Sequence, residues 1–169
     1  TVGNLKKTLH YLKKNGARQT FFAMRERMEM ERAQHYTYTP PSGAVLEIQR
    51  RNAQAMEVKF SILVPALDTG EAHLRAMIDS VLNQTYGNFE LILADASQGD
   101  QVSAVVKTYA DPRIRYRHLK RNSGISANTG QALMYATGDY AGLLDHDDVL
   151  TPDALFEMAA RIETERGQG

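Results

Sequence analysis

Asp145, Asp147 and Asp148 place three carboxylates within four residues, with His146 among them, directly after the uncharged run Tyr140 to Leu144. Like charges held this close repel unless a cation or a hydrogen-bonding ligand offsets them. Carboxylate oxygens suit a hard divalent ion, Mg2+ or Mn2+, which takes one or two protein carboxylates and completes its shell with phosphate oxygens and water. The spacing therefore points to binding of a metal together with a phosphorylated ligand. Helix capping does not account for these acids. Thr151, Pro152 and Asp153 already offer an N-cap, a first helical residue and a negative charge at the positive helix end. Asp68, Asp95 and Asn122 each stand just past another apolar run and are candidates for the same site.

The elements that must hold these residues follow from periodicity. Tyr140 to Leu144 has the length and composition of a strand buried in a sheet. Phe60 to Val64 reads as a first strand ended by Pro65, and Phe89 to Ala94 as a second ending at Asp95. Ile114 to Leu119 alternates as a more exposed third strand would. A helix carrying Leu74, Met77, Ile78, Val81 and Leu82 starts near Glu71, with Asp68 three residues ahead in a capping-box-like position. Val102, Val105, Val106 and Tyr109 mark the next helix, Ile125 to about Ala136 another, and Pro152 to about Thr164 the last. Alternating strands and helices predict an α/β fold with a mostly parallel sheet and right-handed crossovers. Ligands of such sheets bind at the carboxyl edge, where Asp68, Asp95, Asn122 and the acidic cluster would all gather.

Residues 1–57 read differently. Leu5, Leu9 and Leu12 mark a short helix closed by Asn15 and Gly16, a second helical pattern runs from about Arg18 to Ala33, and Val45 to about Ala55 forms a weaker third. This stretch holds ten Lys or Arg against five Asp or Glu, whereas residues 58–169 hold ten against fifteen. The expectation is a basic helical arm, 1–57, ahead of an α/β domain, 58–169. The arm's charges alternate with acids and apolar residues and lack interleaved aromatics, which predicts docking onto a membrane surface or self-association, and no nucleic acid. No apolar run approaches the roughly 20 residues of a bilayer span. The chain has no cysteine, which excludes disulfides and thiolate chemistry and fits a cytoplasmic protein, peripheral at the inner face of the membrane where it docks.

Six stretches in order carry a resemblance: Ser61 to Pro65, Asp79 to Tyr86, Phe89 to Asp95, Asn122 to Thr129, Ala136 to Asp139, and Leu143 to Asp148. Together they resemble the family 2 inverting glycosyltransferases of bacterial polysaccharide synthesis, whose fold is GT-A, over about Phe60 to Ile162. The resemblance implies metal-dependent transfer of a sugar from a nucleotide-diphosphate donor, a UDP-sugar, to a glycan or lipid-linked acceptor. It implies that Pro65 to Asp68 and Asp95 line the base pocket, with Asp95 accepting from uracil. Asn122 and Gly124 would lie beside the diphosphate, Asp145 on the ribose or sugar, and Asp147 on the divalent metal.

The chain departs from the family pattern at Leu67, where an aromatic residue is common, at Ala96, where a second acid is common, and at Gly130, where Asn is common. In the family the acceptor half and the general-base carboxylate follow the D-x-D segment. The resemblance therefore implies a donor-binding half, and no residue is assigned as base; Asp139 reads as a turn. Other chemistries place their residues elsewhere. An aspartate-dependent phosphatase carries its D-x-D after the first strand, and a receiver-type phosphoacceptor domain is the other acidic-edged rival. A sugar nucleotidyltransferase opens with a Gly-rich basic loop that Pro65 to Gly70 does not supply. A nucleotide-binding or assembly module without turnover is the non-enzyme alternative.

Overall fold

The computed structural model describes residues 12–14, 16–23, 25 and 38–167. Two compact units divide the chain, residues 1–40 and 41–169. In the first, the described residues are helical up to residue 25, and Gly16 has a φ of 80°, where the sequence closes the first arm helix. The remainder of the two predicted arm helices, residues 4–11 and 26–33, lies outside the described residues.

The second unit opens with α1 (Gly43–Asn52), which the sequence groups with the arm. Ser42 caps it by accepting from the Val45 N–H. Its ties within this unit are polar: buried Gln49 donates to Glu157 Oε1 and accepts from the Thr85 hydroxyl, both at 3.1 Å. Four strands follow, β1 (Phe60–Ala66), β2 (Phe89–Asp95), β3 (Ile114–His118) and β4 (Tyr140–Leu143), all parallel in the order β3-β2-β1-β4. Between and after them lie α2 (Glu71–Leu82), α3 (Gln101–Val106), α4 (Ile125–Leu133) and α5 (Ala154–Arg166).

Alternation along the strands sorts the core into two layers. Ile62, Val64, Leu91 and Leu93 face Leu74, Met77, Ile78 and Val81 of α2, Val102 and Val105 of α3, and Leu155 of α5. Leu63, Ile92 and Ala94 point the other way, against Ala132 of α4. The parallel α/β layer with flanking helices expected from the sequence is the observed fold. The strand order reverses between β1 and β4, and the carboxyl ends beside such a switch point form a ligand crevice.

Four local expectations are corrected. Pro65 does not end β1 but sits within it, opposite Ala94 of β2. The Leu63 carbonyl bonds to Leu144 on the β4 side, so Pro65, two residues on, faces that side as well, beyond the last β4 pair at Leu63 and Leu143. Its missing N–H therefore costs no ladder bond. Secondly, β4 is not buried: no described strand covers its outer side, and Leu143 is 73% exposed. An uncharged run has the same composition whether one side is covered or two.

Thirdly, α2 starts after Gly70 with no side-chain cap, and Asp68, at a left-handed φ of 48°, does not cap it. Finally, α5 begins at Ala154, later than Pro152, and Thr151 does not cap it with its side chain. The buried Gln84 does that work from the end of α2. Its Oε1 accepts from the Leu155 N–H at 3.0 Å, and its amide donates to the Thr151 carbonyl at 2.7 Å.

Candidate functional site

A cleft of about 210 Å³ opens at the carboxyl edge of the sheet. Pro65, Ala66 and Leu67 form one wall at the end of β1, Asn122, Gly124, Ile125 and Asn128 another at the start of α4, and His146 closes it after β4. The α4 wall is built by two asparagines. Asn122 Oδ1 accepts from the Gly124 N–H and from Asn128 Nδ2, both at 3.0 Å, and Asn128 Oδ1 accepts from the Ser123 N–H at 3.2 Å. The first of these is an Asx turn, which leads the chain into Gly124 at a φ of 87°. A Cβ there would meet nothing within 4 Å, so the backbone conformation, not lack of space, calls for glycine. No side chain caps α4, which leaves its first amides open to an anion, assisted by the helix dipole.

The acidic cluster is a tight turn in which the Asp148 N–H donates to the Asp145 carbonyl at 3.2 Å. Asp145, Asp147 and Asp148 are all exposed. No described residue donates a hydrogen bond to their carboxylates; the closest approach is His146 Nδ1, 3.9 Å from Asp147 Oδ1. That nitrogen is buried and has no hydrogen-bond partner. Among the described residues no group of three or more acids and histidines could hold a metal ion alone. The exposed carboxylates that adjoin His146 in the chain nevertheless fit a hard cation that arrives with phosphate oxygens as its other ligands.

Asp95 is fully buried. Its Oδ1 accepts from the Ser97 N–H at 2.9 Å and its Oδ2 from the Tyr116 hydroxyl at 2.6 Å, with His118 Nδ1 3.9 Å away. Burial, and then the neighbouring carboxylate, push the Tyr116 phenol well above its usual pKa, so it remains a donor. The Asp68 N–H donates to Ser97 Oγ at 2.8 Å.

Of the residues expected from the sequence, Pro65, Asn122 and Gly124 meet in the cleft. Asp145 and Asp147 flank the His146 that lines it, Asp68 follows Leu67 on the β1–α2 loop, and Asp95 lies beneath with both oxygens engaged. Sequence reasoning did not single out Asn128, His146, Ser97 or Tyr116. Asn128 had a signal, since asparagine is a poor residue for a helix interior. Tyr116 had none: it is one aromatic residue in an alternating strand.

The profile of the family described as Glycosyl transferase family 2 matches residues 61–168. The putative colanic acid biosynthesis glycosyl transferase WcaA of Escherichia coli (strain K12) is 40% identical over 103 residues, which are 60% of this chain and 37% of that protein. Protein y4gI of Sinorhizobium fredii, uncharacterized, is 40% identical over 125 residues, 72% of this chain and 14% of its own length. The chain thus spans well under half the length of these curated relatives. The crystal structure of S. aureus TarS 1-349 in complex with UDP superposes with a TM-score of 0.58 at 26% identity, covering 63% of this chain and 32% of that one.

Proposed function

The chain belongs to glycosyl transferase family 2, and we propose that it provides the donor site for metal-dependent, inverting transfer of a sugar from a UDP-sugar to a glycan or lipid-linked acceptor. The observation that carries this reading is the cleft at the switch point, with open α4 amides on one side and the exposed acidic turn on the other. The diphosphate lies against Asn122 and Gly124, where the amides take its negative charge. Asp147, with Asp145 beside it on the ribose or sugar, holds Mn2+ or Mg2+. The bound ion supplies neutralisation of the charge that develops on the leaving diphosphate.

Pro65 to Leu67 form the wall for the base, and half-exposed Leu67 gives it an apolar face in place of an aromatic one. Asp68 and Asp95 complete that side. Inversion further needs a carboxylate on the face opposite the donor to deprotonate the acceptor, and none of these residues takes that part. Two comparisons support the reading: WcaA is named for colanic acid biosynthesis, and the TarS structure holds UDP. Residues 58–169 are the donor-binding part, and the basic residues ahead of them serve docking at an anionic membrane surface, where a lipid-linked acceptor resides. No helix among the described residues is long and apolar enough to cross a membrane.

Titration calorimetry with UDP, GDP and ADP, each with and without Mn2+, tests the proposal. The expected result is binding of UDP that strengthens at least tenfold with Mn2+. Absence of binding by every nucleoside diphosphate would overturn it.

A further inference from the structure

We propose that Tyr116 and Ser97 are positioning residues which preset the β1–α2 loop, residues 67–70, acting through Asp95 without touching the ligand. The inference deepens the donor-site reading, but its core concerns the loop itself. Asp68 is the single non-glycine residue with positive φ among the described residues. A left-handed aspartate is strained and persists only where its surroundings over-determine it. Here the determinant is the Ser97 hydroxyl, which accepts the Asp68 N–H at 2.8 Å.

Ser97 is 3% exposed, and its own N–H is held by Asp95 Oδ1. The carboxylate is held in turn at Oδ2 by the Tyr116 hydroxyl. Removing that hydroxyl leaves one oxygen of a fully buried carboxylate with no donor closer than His118 at 3.9 Å, which is outside hydrogen-bond range. A buried carboxylate in that condition turns toward another donor. That movement loosens its grip on the Ser97 amide, and with it the acceptor that keeps Asp68 left-handed. The path Tyr116, Asp95, Ser97, Asp68 thus runs from β3, two strands away, into the loop that continues the cleft wall at Leu67. Gln101 Nε2, donating to the Thr69 carbonyl at 3.2 Å, ties the loop's far side independently, so the predicted effect is local.

Hydrogen–deuterium exchange of peptides covering residues 67–70, read beside UDP calorimetry, tests this in Tyr116→Phe, Ser97→Ala and Ser97→Thr. Tyr116→Phe and Ser97→Ala should each speed exchange in the loop at least fivefold while β1 stays protected, and should weaken UDP binding three- to tenfold. Ser97→Thr, which keeps the hydroxyl, should stay within twofold of wild type. Unchanged loop exchange in both hydroxyl-deleting variants, or a rise shared evenly by all peptides, overturns the inference. The donor-site reading fails separately: a wild-type chain that ignores UDP, with loop exchange responding as described, sinks that reading and supports this one.

Discussion

At the amino edge of the sheet the buried Glu90 carboxylate accepts from the Ser61 hydroxyl at 2.7 Å, the Thr137 N–H at 2.6 Å, the Thr137 hydroxyl at 2.9 Å, and the Arg115 guanidinium. Ser61 Oγ accepts from the Gly138 N–H, and Asp139 accepts from the Lys59 N–H. At the carboxyl edge Asp145, Asp147 and Asp148 stand exposed, with no described donor. Both edges carry motifs of the same family resemblance, yet their polar groups do opposite things. Those satisfied by one another pin the start of β4 to β1 and β2 and build the sheet; those at the carboxyl edge face solvent and are free to exchange water for a ligand. Burial alone would raise the Glu90 pKa, but the hydrogen bonds from Ser61, Arg115 and Thr137 outweigh it and hold the group at about 2.

The largest expected effect is at Gly138. A Cβ there would lie 2.7 Å from the Lys59 carbonyl oxygen and the Ser61 nitrogen, both backbone atoms that cannot swing away. Gly138→Ala should lose on the order of 3 kcal/mol in urea denaturation. Wild-type stability would show that the amino edge yields more than its packing indicates.

Glu90→Gln comes next, at roughly 2 kcal/mol near neutral pH, because Oε1 can keep its Ser61 and Thr137 donors while Oε2 is replaced by an amide NH2 that faces the half-buried Arg115 guanidinium and removes its charged partner. Since the Glu90 pKa is depressed in the folded state, its contribution is fully present above about pH 4.5 and is lost as pH falls through about 2. Stability measured across that window should fall more steeply in the wild type than in Glu90→Gln. Equal slopes would remove Glu90 from the account.

Asn128 sharpens the comparison, since it is a satisfied group at the open edge. Asn128→Ala should cost about 1 kcal/mol of stability and weaken UDP binding about tenfold, by releasing the turn through Asn122 and Gly124. A loss of stability with unchanged affinity would place it with the structural network alone. The smallest effect on stability belongs to Asp147→Ala, within about 0.5 kcal/mol of wild type, as expected for a surface carboxylate relieved of like-charged neighbours. Its Mn2+-dependent UDP binding should nonetheless fall at least tenfold; unfolding, or unchanged binding, would make Asp147 structural.

Much of this was legible in the sequence, because each signal lies within a single element. Short apolar runs located β1, β2 and β4, alternation located β3, helical spacing located the helices between them, and the position of the acids after Leu144 put them on the ligand edge of a parallel sheet. The tertiary structure decided what those signals leave open: that β4 lies at an edge, that Gln84 caps a helix starting 70 residues later, and that Tyr116 occupies Asp95. It also decided that Ala136 to Asp139 serves the edge opposite the cleft. The physical reason is common to all of these. Apolar periodicity records which side of one element leaves water, whereas a hydrogen bond between residues 21 or 71 positions apart exists only once the chain crossovers have brought its donor and acceptor within 3 Å of each other.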